Sequence, residues 1–367
     1  MNIILISKTV KRRIDLEINC KIPRGSYFAA ANGYEGFKSY FNKVFAPKDY
    51  KRLYVLKGGP GTGKSSFMKR IREHFLSRSF GCDSIYCSSD SASLDGVIIY
   101  GKTEKVGILD GTAPHEVDTR IPGAVDEIIN LGAAWDKSGL SARKKDIEML
   151  GAEKKKRYEN AYFFMRAAGA FHGKINACDQ CGFVPDSYSD EITKYSKMLT
   201  KNSGRICEQY LLSCFSKDGY SSAFAYDFQC ENKASVYGEH GADFIYFDAL
   251  LRALRERGSS AVRFPSPLSD ALTDAVFIPE SDTLIFADRA KKKDADILLS
   301  ESGCSDSFLD FCADENELLL RKAKEEFAAA SHYHFALEGI YTPLMNFDII
   351  AQMRQEVILE IEKILEL

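Results

Sequence analysis

The sequence predicts an α/β protein built from two parallel-sheet α/β units in tandem, each with a helical hairpin. Two observations carry this prediction. Short apolar runs such as 53–56 and 106–109 alternate with helix-like stretches, which is typical of a parallel sheet flanked by helices. The second half of the chain also repeats landmarks of the first at nearly constant spacing. At 367 residues the chain is long enough for two domains of ordinary size.

A glycine-rich loop follows the apolar run at 53–56. Residues 58–65 fit G-x-x-x-x-G-K-[ST], the phosphate-binding pattern of P-loop NTPases. Apolar residues then recur at helical spacing from Phe67 to Leu76, so strand, loop and helix stand in the required order. The predicted nucleotide-binding residues are Gly58, Gly59, Pro60, Gly61, Thr62, Gly63, Lys64, Ser65 and Ser66.

This pattern predicts ATP and Mg²⁺ as cofactors. Glycines let backbone N–H groups turn toward phosphate oxygens, and the N-terminus of the following helix adds partial positive charge. Lys64 is expected to reach the β- and γ-phosphates, and the Ser65 hydroxyl to bind the metal. Asp110 ends an apolar strand, which is the Walker B pattern, so Asp110 is expected to hold Mg²⁺ together with Ser65.

The residue that orients the attacking water is less evident. Gly111 follows Asp110 where many ATPases carry a catalytic Glu, so another residue must take this role. Acidic residues and a histidine in the predicted loops at the strand ends are candidates, with ordinary solvation or helix capping as the alternative for each. They are Asp90, Asp95, His115, Glu116 and Asp118, of which Asp90, His115 and Asp118 are best placed. Arg120 and Arg289 are the arginine-finger candidates.

The internal repeat sets the domain prediction. Tyr27 and Gly36 recur 183 residues later as Tyr210 and Gly219. Gly58 and Gly61 recur 180 residues later as Gly238 and Gly241, again after an apolar run and before a helical pattern. We therefore predict an N-terminal extension (1–21), an active P-loop-type unit (22–202, hairpin at about 138–200) and a degenerate P-loop-like unit (203–367) ending in its own hairpin. Gly173, Gly182 and Pro185 are expected to break the first hairpin.

The second loop lacks the phosphate-binding chemistry. Asp243, Phe244 and Ile245 stand where this alignment places Gly63, Lys64 and Ser65. An acidic loop without lysine repels a triphosphate. We therefore expect one nucleotide per chain, bound in the first half.

Bulk composition argues against some partners. The net charge is −3 and no apolar stretch approaches the ~18 residues of a membrane span, which speaks against nucleic acid and membrane as partners. The run Lys154-Lys155-Lys156 is expected to be a solvated helix face. The ten cysteines, in a chain without a signal peptide, predict reduced thiols and a cytoplasmic location.

Several runs resemble a known family. The loop at 58–66 is similar to that of AAA-like P-loop ATPases. The runs at 86–97, 108–115 and 122–132 resemble an uncharacterised bacterial family of tandem P-loop ATPases, and the similarity extends over most of the chain. The resemblance implies ATP binding and hydrolysis. In that family the second half often keeps its own P-loop, and this chain departs from it at residues 243–245.

Two other functions stay open at this point. A kinase for a nucleotide or small molecule is compatible with G-G-P-G-x-G-K, and the hairpin would then act as a lid. A non-catalytic nucleotide sensor is compatible with Gly111 after the Walker B aspartate. A nucleoside triphosphate is the expected partner in every case, and a protein partner is left open.

Overall fold

The computed structural model describes residues 22–179, 186–196, 206–208, 210–238, 241–289, 295–299 and 307–366. The predicted extension at 1–21 and the boundary at 202 lie outside the described residues, as do Gly182 and Pro185.

The first half forms a six-stranded sheet. The six strands of this sheet are β1 Ser26–Phe28, β4 Arg52–Lys57, β5 Gly81–Tyr86, β6 Leu94–Tyr100, β7 Lys105–Asp110 and β8 Asp126–Asn130. Strands β2 Ala30–Gly33 and β3 Gly36–Ser39 form a separate hairpin. The sheet order is β1-β5-β6-β7-β4-β8. The helices are α1 Phe41–Val44, α2 Lys64–Leu76, α3 Lys137–Ala142, α4 Lys144–Asp179 and α5 Asp186–Ser196.

The sheet is mixed, so the prediction of a parallel sheet is wrong for β6. Strand β6 runs antiparallel to both β5 and β7, whereas β4 is parallel to β7 and β8. The connections on either side of β6 span residues 87–93 and 101–104. A parallel crossover needs roughly a dozen residues or more, so connections this short return the chain as hairpins. The start of β6 thereby reaches the edge where β4, β5 and β7 end.

The second half repeats this plan. Its strands are β9 Ile206–Glu208, β10 Cys214–Ser216, β11 Gly219–Ser221, β12 Asn232–Gly238, β13 Ala261–Pro265, β14 Thr273–Ile278, β15 Thr283–Ala287 and β16 Ile297–Leu299. The sheet order β16-β12-β15-β14-β13-β9 is that of the first sheet strand for strand. The helices are α6 Ala223–Asp227, α7 Ala242–Glu256, α8 Ser307–Tyr341 and α9 Phe347–Ile364.

The two halves share one hydrophobic core. Side chains of β4–β7, including Ile85 and Leu109, join side chains of β13–β15, including Phe264 and Phe286, in a single buried cluster. Tyr27 stacks on Tyr210 with ring centroids 4.4 Å apart. Tyr210 is the residue that the repeat pairs with Tyr27. Because equivalent residues touch each other, an approximate two-fold axis passes between the halves.

The long helices pair across the halves. Helix α4 lies antiparallel to α8, because Arg157 contacts Glu326 while Phe171 contacts Phe311. Gly173 lies inside α4 and does not break it, which corrects the prediction, since packing along α8 outweighs the ~1 kcal/mol helix penalty of a glycine.

The final helices are exchanged between the halves. Helix α9 comes from the second half but packs on α2 of the first, where Ile350, Val357, Ile358 and Ile361 join Phe67, Met68, Ile71 and Phe75. Ile192 of α5 joins the α7 core of the second half. The last helix of each predicted hairpin therefore packs against the opposite unit.

The burial pattern corrects the alignment of the two loop-following helices by one residue. The fully buried face of α2 is Phe67, Met68, Ile71 and Phe75, and that of α7 is Tyr246, Phe247, Leu250 and Leu254. An offset of 179 residues relates the two sets. Asp243 therefore stands opposite Lys64, not opposite Gly63.

Two findings bear on location. None of the helices described here is long and apolar enough to cross a bilayer. Cys207 is disulfide-bonded, so the expectation of ten reduced thiols is wrong for this residue. The cytoplasmic location stays a prediction.

Candidate phosphate-binding site

The loop between β4 and α2 has the backbone shape that its glycines predict. Gly61 and Gly63 have φ values of 66° and 81°, a region that side chains with a Cβ rarely adopt. Gly63 is also the N-cap of α2, and no side chain caps this helix end. The first turn of α2 contains no acidic residue, so its positive end faces the loop uncompensated by carboxylates of its own.

Lys64 folds back into the loop. Its ammonium donates hydrogen bonds to the carbonyl oxygens of Gly58 at 2.8 Å and Gly59 at 2.9 Å. It also lies 3.6 Å from Oδ2 of Asp110. The β4–β7 register sets Asp110 beside Leu56, two residues before the loop, which explains this proximity. The structure thus brings together the two residues for which the sequence predicts the strongest roles.

The predicted metal ligands lie at the same edge of the sheet. The Ser65 hydroxyl accepts a hydrogen bond from the Leu94 backbone N–H at 2.9 Å. Asp110 accepts hydrogen bonds at Oδ1 from the backbone and hydroxyl of Thr112. Burial raises the pKa of Asp110, while the nearby Lys64 charge opposes the shift. Carboxylate and serine hydroxyl oxygens are among the ligands that Mg²⁺ takes in proteins.

His115 is held by Asp95, not by the glycine-rich loop. Its Nε2 lies 2.9 Å from Asp95 Oδ2, both side chains are buried, and its ring stacks on Phe41. Cys87 completes a group whose ligand-type atoms lie within 4.8 Å of one another. Asp95 is near enough to Asp110 for its charge to raise the pKa of Asp110. Antiparallel β6 brings Asp95 to this edge.

Asp90 and Asp118 have other partners. Asp90 accepts a hydrogen bond from Ser93 at 2.9 Å and pairs with Lys217 of the second half at 3.3 Å. Burial alone would raise its pKa, but these two partners outweigh burial and lower it. Asp118 has an exposed side chain 3.2 Å from Lys57. Neither carboxylate contacts Lys64, so both roles in orienting water stay predictions.

The second half covers the loop. Thr342 donates a hydrogen bond to the Gly61 carbonyl oxygen at 3.5 Å. A Cβ built on Gly61 would lie 2.6 Å from Thr342 Oγ1, and one built on Gly63 would lie 3.4 Å from the Phe347 ring. The end of α8 and the start of α9 therefore lie directly on the glycine-rich loop.

An unsatisfied donor lies beside Gly59. The rings of Trp135 and Tyr341 approach this glycine, at 3.5 and 3.6 Å from a Cβ built on it. The indole N–H of Trp135 is buried without a hydrogen-bond partner among the described residues. Such donors are rare in folded proteins, so this one calls for a partner such as a water molecule or a ligand acceptor.

Lys154 departs from the solvated helix face predicted for residues 154–156. Lys155 and Lys156 are exposed as expected, but Lys154 is partly buried, and its ammonium lies 3.5 Å from His334 Nδ1 of α8. Burial lowers the pKa of Lys154, and the charge of Lys64 lowers it further. Nothing in a run of three lysines distinguishes the first, because the pairing of α4 with α8 determines which lysine contacts α8.

In the second half an acidic residue takes the position of Lys64 and pairs with an arginine. Asp243, which replaces Lys64, lies 2.8 Å from Arg289 Nη2, and Arg289 Nη1 lies 2.8 Å from Asp274. The guanidinium also packs over the rings of Tyr220 and Phe244. Arg289 is therefore paired within the second unit, and its role as an arginine finger stays a prediction.

No family model, curated protein or solved structure matches this chain. The case for a function therefore rests on the residues of the site.

Proposed function

We propose that the first unit binds a nucleoside triphosphate with Mg²⁺ at residues 58–66 and hydrolyses it. The observation that carries this proposal is the position of Lys64. Its ammonium lies within the glycine-rich loop, at the N-terminus of α2 and 3.6 Å from Asp110 at the end of the neighbouring strand. A cation, a helix N-terminus and a strand-end carboxylate meet in this way where phosphoryl groups are bound.

Each group has a role in the proposed reaction. Lys64 exchanges its loop carbonyls for phosphate oxygens and stabilises the negative charge of the phosphoryl group. Ser65 and Asp110 would hold Mg²⁺, which supplies further positive charge beside the phosphates. The Trp135 indole N–H is free to donate to an acceptor of the nucleotide. Hydrolysis also needs an oriented water, and the buried Asp95–His115 pair is the candidate whose charge acts on Asp110.

A nucleotide sensor is the second candidate, and one observation favours it. A Cβ on Gly111 would lie 2.4 Å from Val55 Cγ1. No larger residue fits there, so the usual catalytic Glu is sterically excluded. A sensor would bind ATP tightly and turn it over very slowly, and a kinase would transfer the phosphoryl group to an acceptor.

The test is Lys64→Ala with Arg70→Ala as the matched control, because Arg70 is an exposed cation of the same helix. We expect Lys64→Ala to lower ATP turnover by at least about a hundredfold, because one such group stabilises a transition state by several kcal/mol. Turnover is measured by phosphate release, with and without candidate acceptors. Turnover within threefold of the parent would remove this loop from the active site.

A further inference from the structure

Two lysines from different parts of the chain converge on the loop. Lys64 begins α2, and Lys154 lies ten residues into α4. The Lys154 ammonium lies 3.5 Å from His334 Nδ1 on α8, the helix whose end covers the loop, and both burial and the charge of Lys64 lower its pKa. Two ammonium groups brought together with partial loss of water repel each other, so such a pair is stabilised when an anion lies nearby.

Glu338 of α8 supplies that anion. Its side chain lies 3.5 Å from His334 Nε2, and its backbone lies against Gly61, where a built Cβ would be 3.3 Å from Glu338 Cα. The pKa of Glu338 is lowered first by its hydrogen bond with His334, and also by the Gly61 N–H and the charge of Lys64. The carboxylate is therefore ionised at neutral pH, on the helix turn that packs against Gly61 and beside the His334 ring, whose other nitrogen Lys154 contacts.

We infer that Lys154 is a second phosphate-binding cation and that Glu338 holds the place of the terminal phosphate until a triphosphate displaces it. This inference rests on the proposed function and identifies how the same site is regulated. A carboxylate resembles a phosphate in charge and in accepting N–H hydrogen bonds. The side chain of Glu338 is 37% exposed, so it can turn into solvent without unfolding α8.

The proposed role of Lys154 predicts different effects of its substitution on the binding of triphosphates and of diphosphates. Because Lys154 contacts α8 and not the backbone that cradles the first phosphates, we expect it to act on the terminal phosphate of a triphosphate and not on a diphosphate. Lys154→Gln is therefore expected to weaken a non-hydrolysable ATP analogue by about tenfold, the loss typical of one charge-assisted hydrogen bond. ADP binding is expected to change by less than about twofold. Lys155→Gln, the exposed neighbour, is the matched control and should leave both affinities unchanged.

Glu338→Gln is expected to strengthen the binding of the ATP analogue, whereas Lys154→Gln weakens it. The amide keeps the size of the side chain and removes the charge that competes with phosphate. We expect the ATP analogue to bind about tenfold tighter, because a like charge close to the ligand is removed. Glu317→Gln, an exposed substitution on the same helix, is the control and should have no effect.

Binding is measured with the fluorescence of Trp135, the one tryptophan of the chain, which lies beside Gly59. Calorimetry gives the same constants if its emission does not change, and thermal melting checks that each variant folds. If Lys64→Ala abolishes nucleotide binding but Lys154→Gln behaves like Lys155→Gln, the inference is overturned and the proposed function stands. The inference is also overturned, and the proposed function still stands, if Glu338→Gln binds the ATP analogue no more tightly than the parent does. If neither the parent nor Glu338→Gln binds any nucleotide, the proposed function itself fails.

Discussion

Arg289 offers a quantitative test of how the second half stabilises its buried carboxylates. Arg289→Met removes the guanidinium but fills much of its volume between Tyr220 and Phe244. Asp243 and Asp274 then remain buried without a cation, each having lain 2.8 Å from Arg289. Breaking a buried ion pair from one side costs about 3–5 kcal/mol. We expect the free energy of unfolding to fall by that amount at pH 7.

The loss should shrink in acid. Burial raises the pKa of Asp243, and Arg289 opposes the shift, so removing Arg289 raises this pKa further. A group with a raised folded-state pKa favours folding at pH values below that pKa and loses this contribution as pH rises through it. The difference between parent and variant should therefore narrow from pH 7 to pH 5.

Urea unfolding at both pH values, followed by circular dichroism, measures the difference. Arg257→Met, an exposed arginine after α7, is the control and should stay within about 0.5 kcal/mol of the parent. Adding Asp243→Asn and Asp274→Asn to Arg289→Met should recover most of the loss, because no charge is then left unpaired. A loss below about 1 kcal/mol with Arg289→Met, or a gap that widens in acid, would refute this reasoning.

Three further outcomes are expected. Calorimetry with a non-hydrolysable ATP analogue and Mg²⁺ should give one site per chain, because Asp243 replaces the phosphate-binding lysine; a stoichiometry of two would contradict this. Asp110→Asn should lower Mg²⁺-dependent turnover at least about tenfold and raise the unfolding temperature, because burial already disfavours this charge; an unchanged Mg²⁺ titration would remove Asp110 from the site. Gly61→Ala should destabilise the protein more than Gly123→Ala by roughly 1 kcal/mol or more, because both have positive φ but only Gly61 lies against Thr342; equal losses in thermal melts would show that the end of α8 does not press on the loop.

Local sequence patterns predicted much of the secondary structure around the loop. The strand before the loop, the loop glycines and the buried face of α2 follow from residues within a short window, and the structure contains them. The repeat was also visible, because glycines at turns and aromatic residues in the core recur at nearly fixed spacing. Strand direction was harder, since connection length, not strand composition, makes β6 antiparallel.

Long-range pairing explains what the sequence could not provide. Lys154 and Glu338 reach the loop only because α4 lies along α8, and no pattern within either helix identifies its partner. The error of one residue at Asp243 has a similar origin. Glycines were used to align the two loops, whereas the packing of α7 against its sheet fixes which residue stands opposite Lys64.

The stacking of Tyr27 on Tyr210 bears on why only one half has a lysine at the start of its loop-following helix. Two copies of a single unit that meet in this way form a symmetric homodimer, in which every substitution appears at both sites at once. Joining the copies in one chain removes that coupling. One copy can then exchange its lysine for Asp243 and an internal arginine, while still lending its last helices to the copy that keeps Lys64.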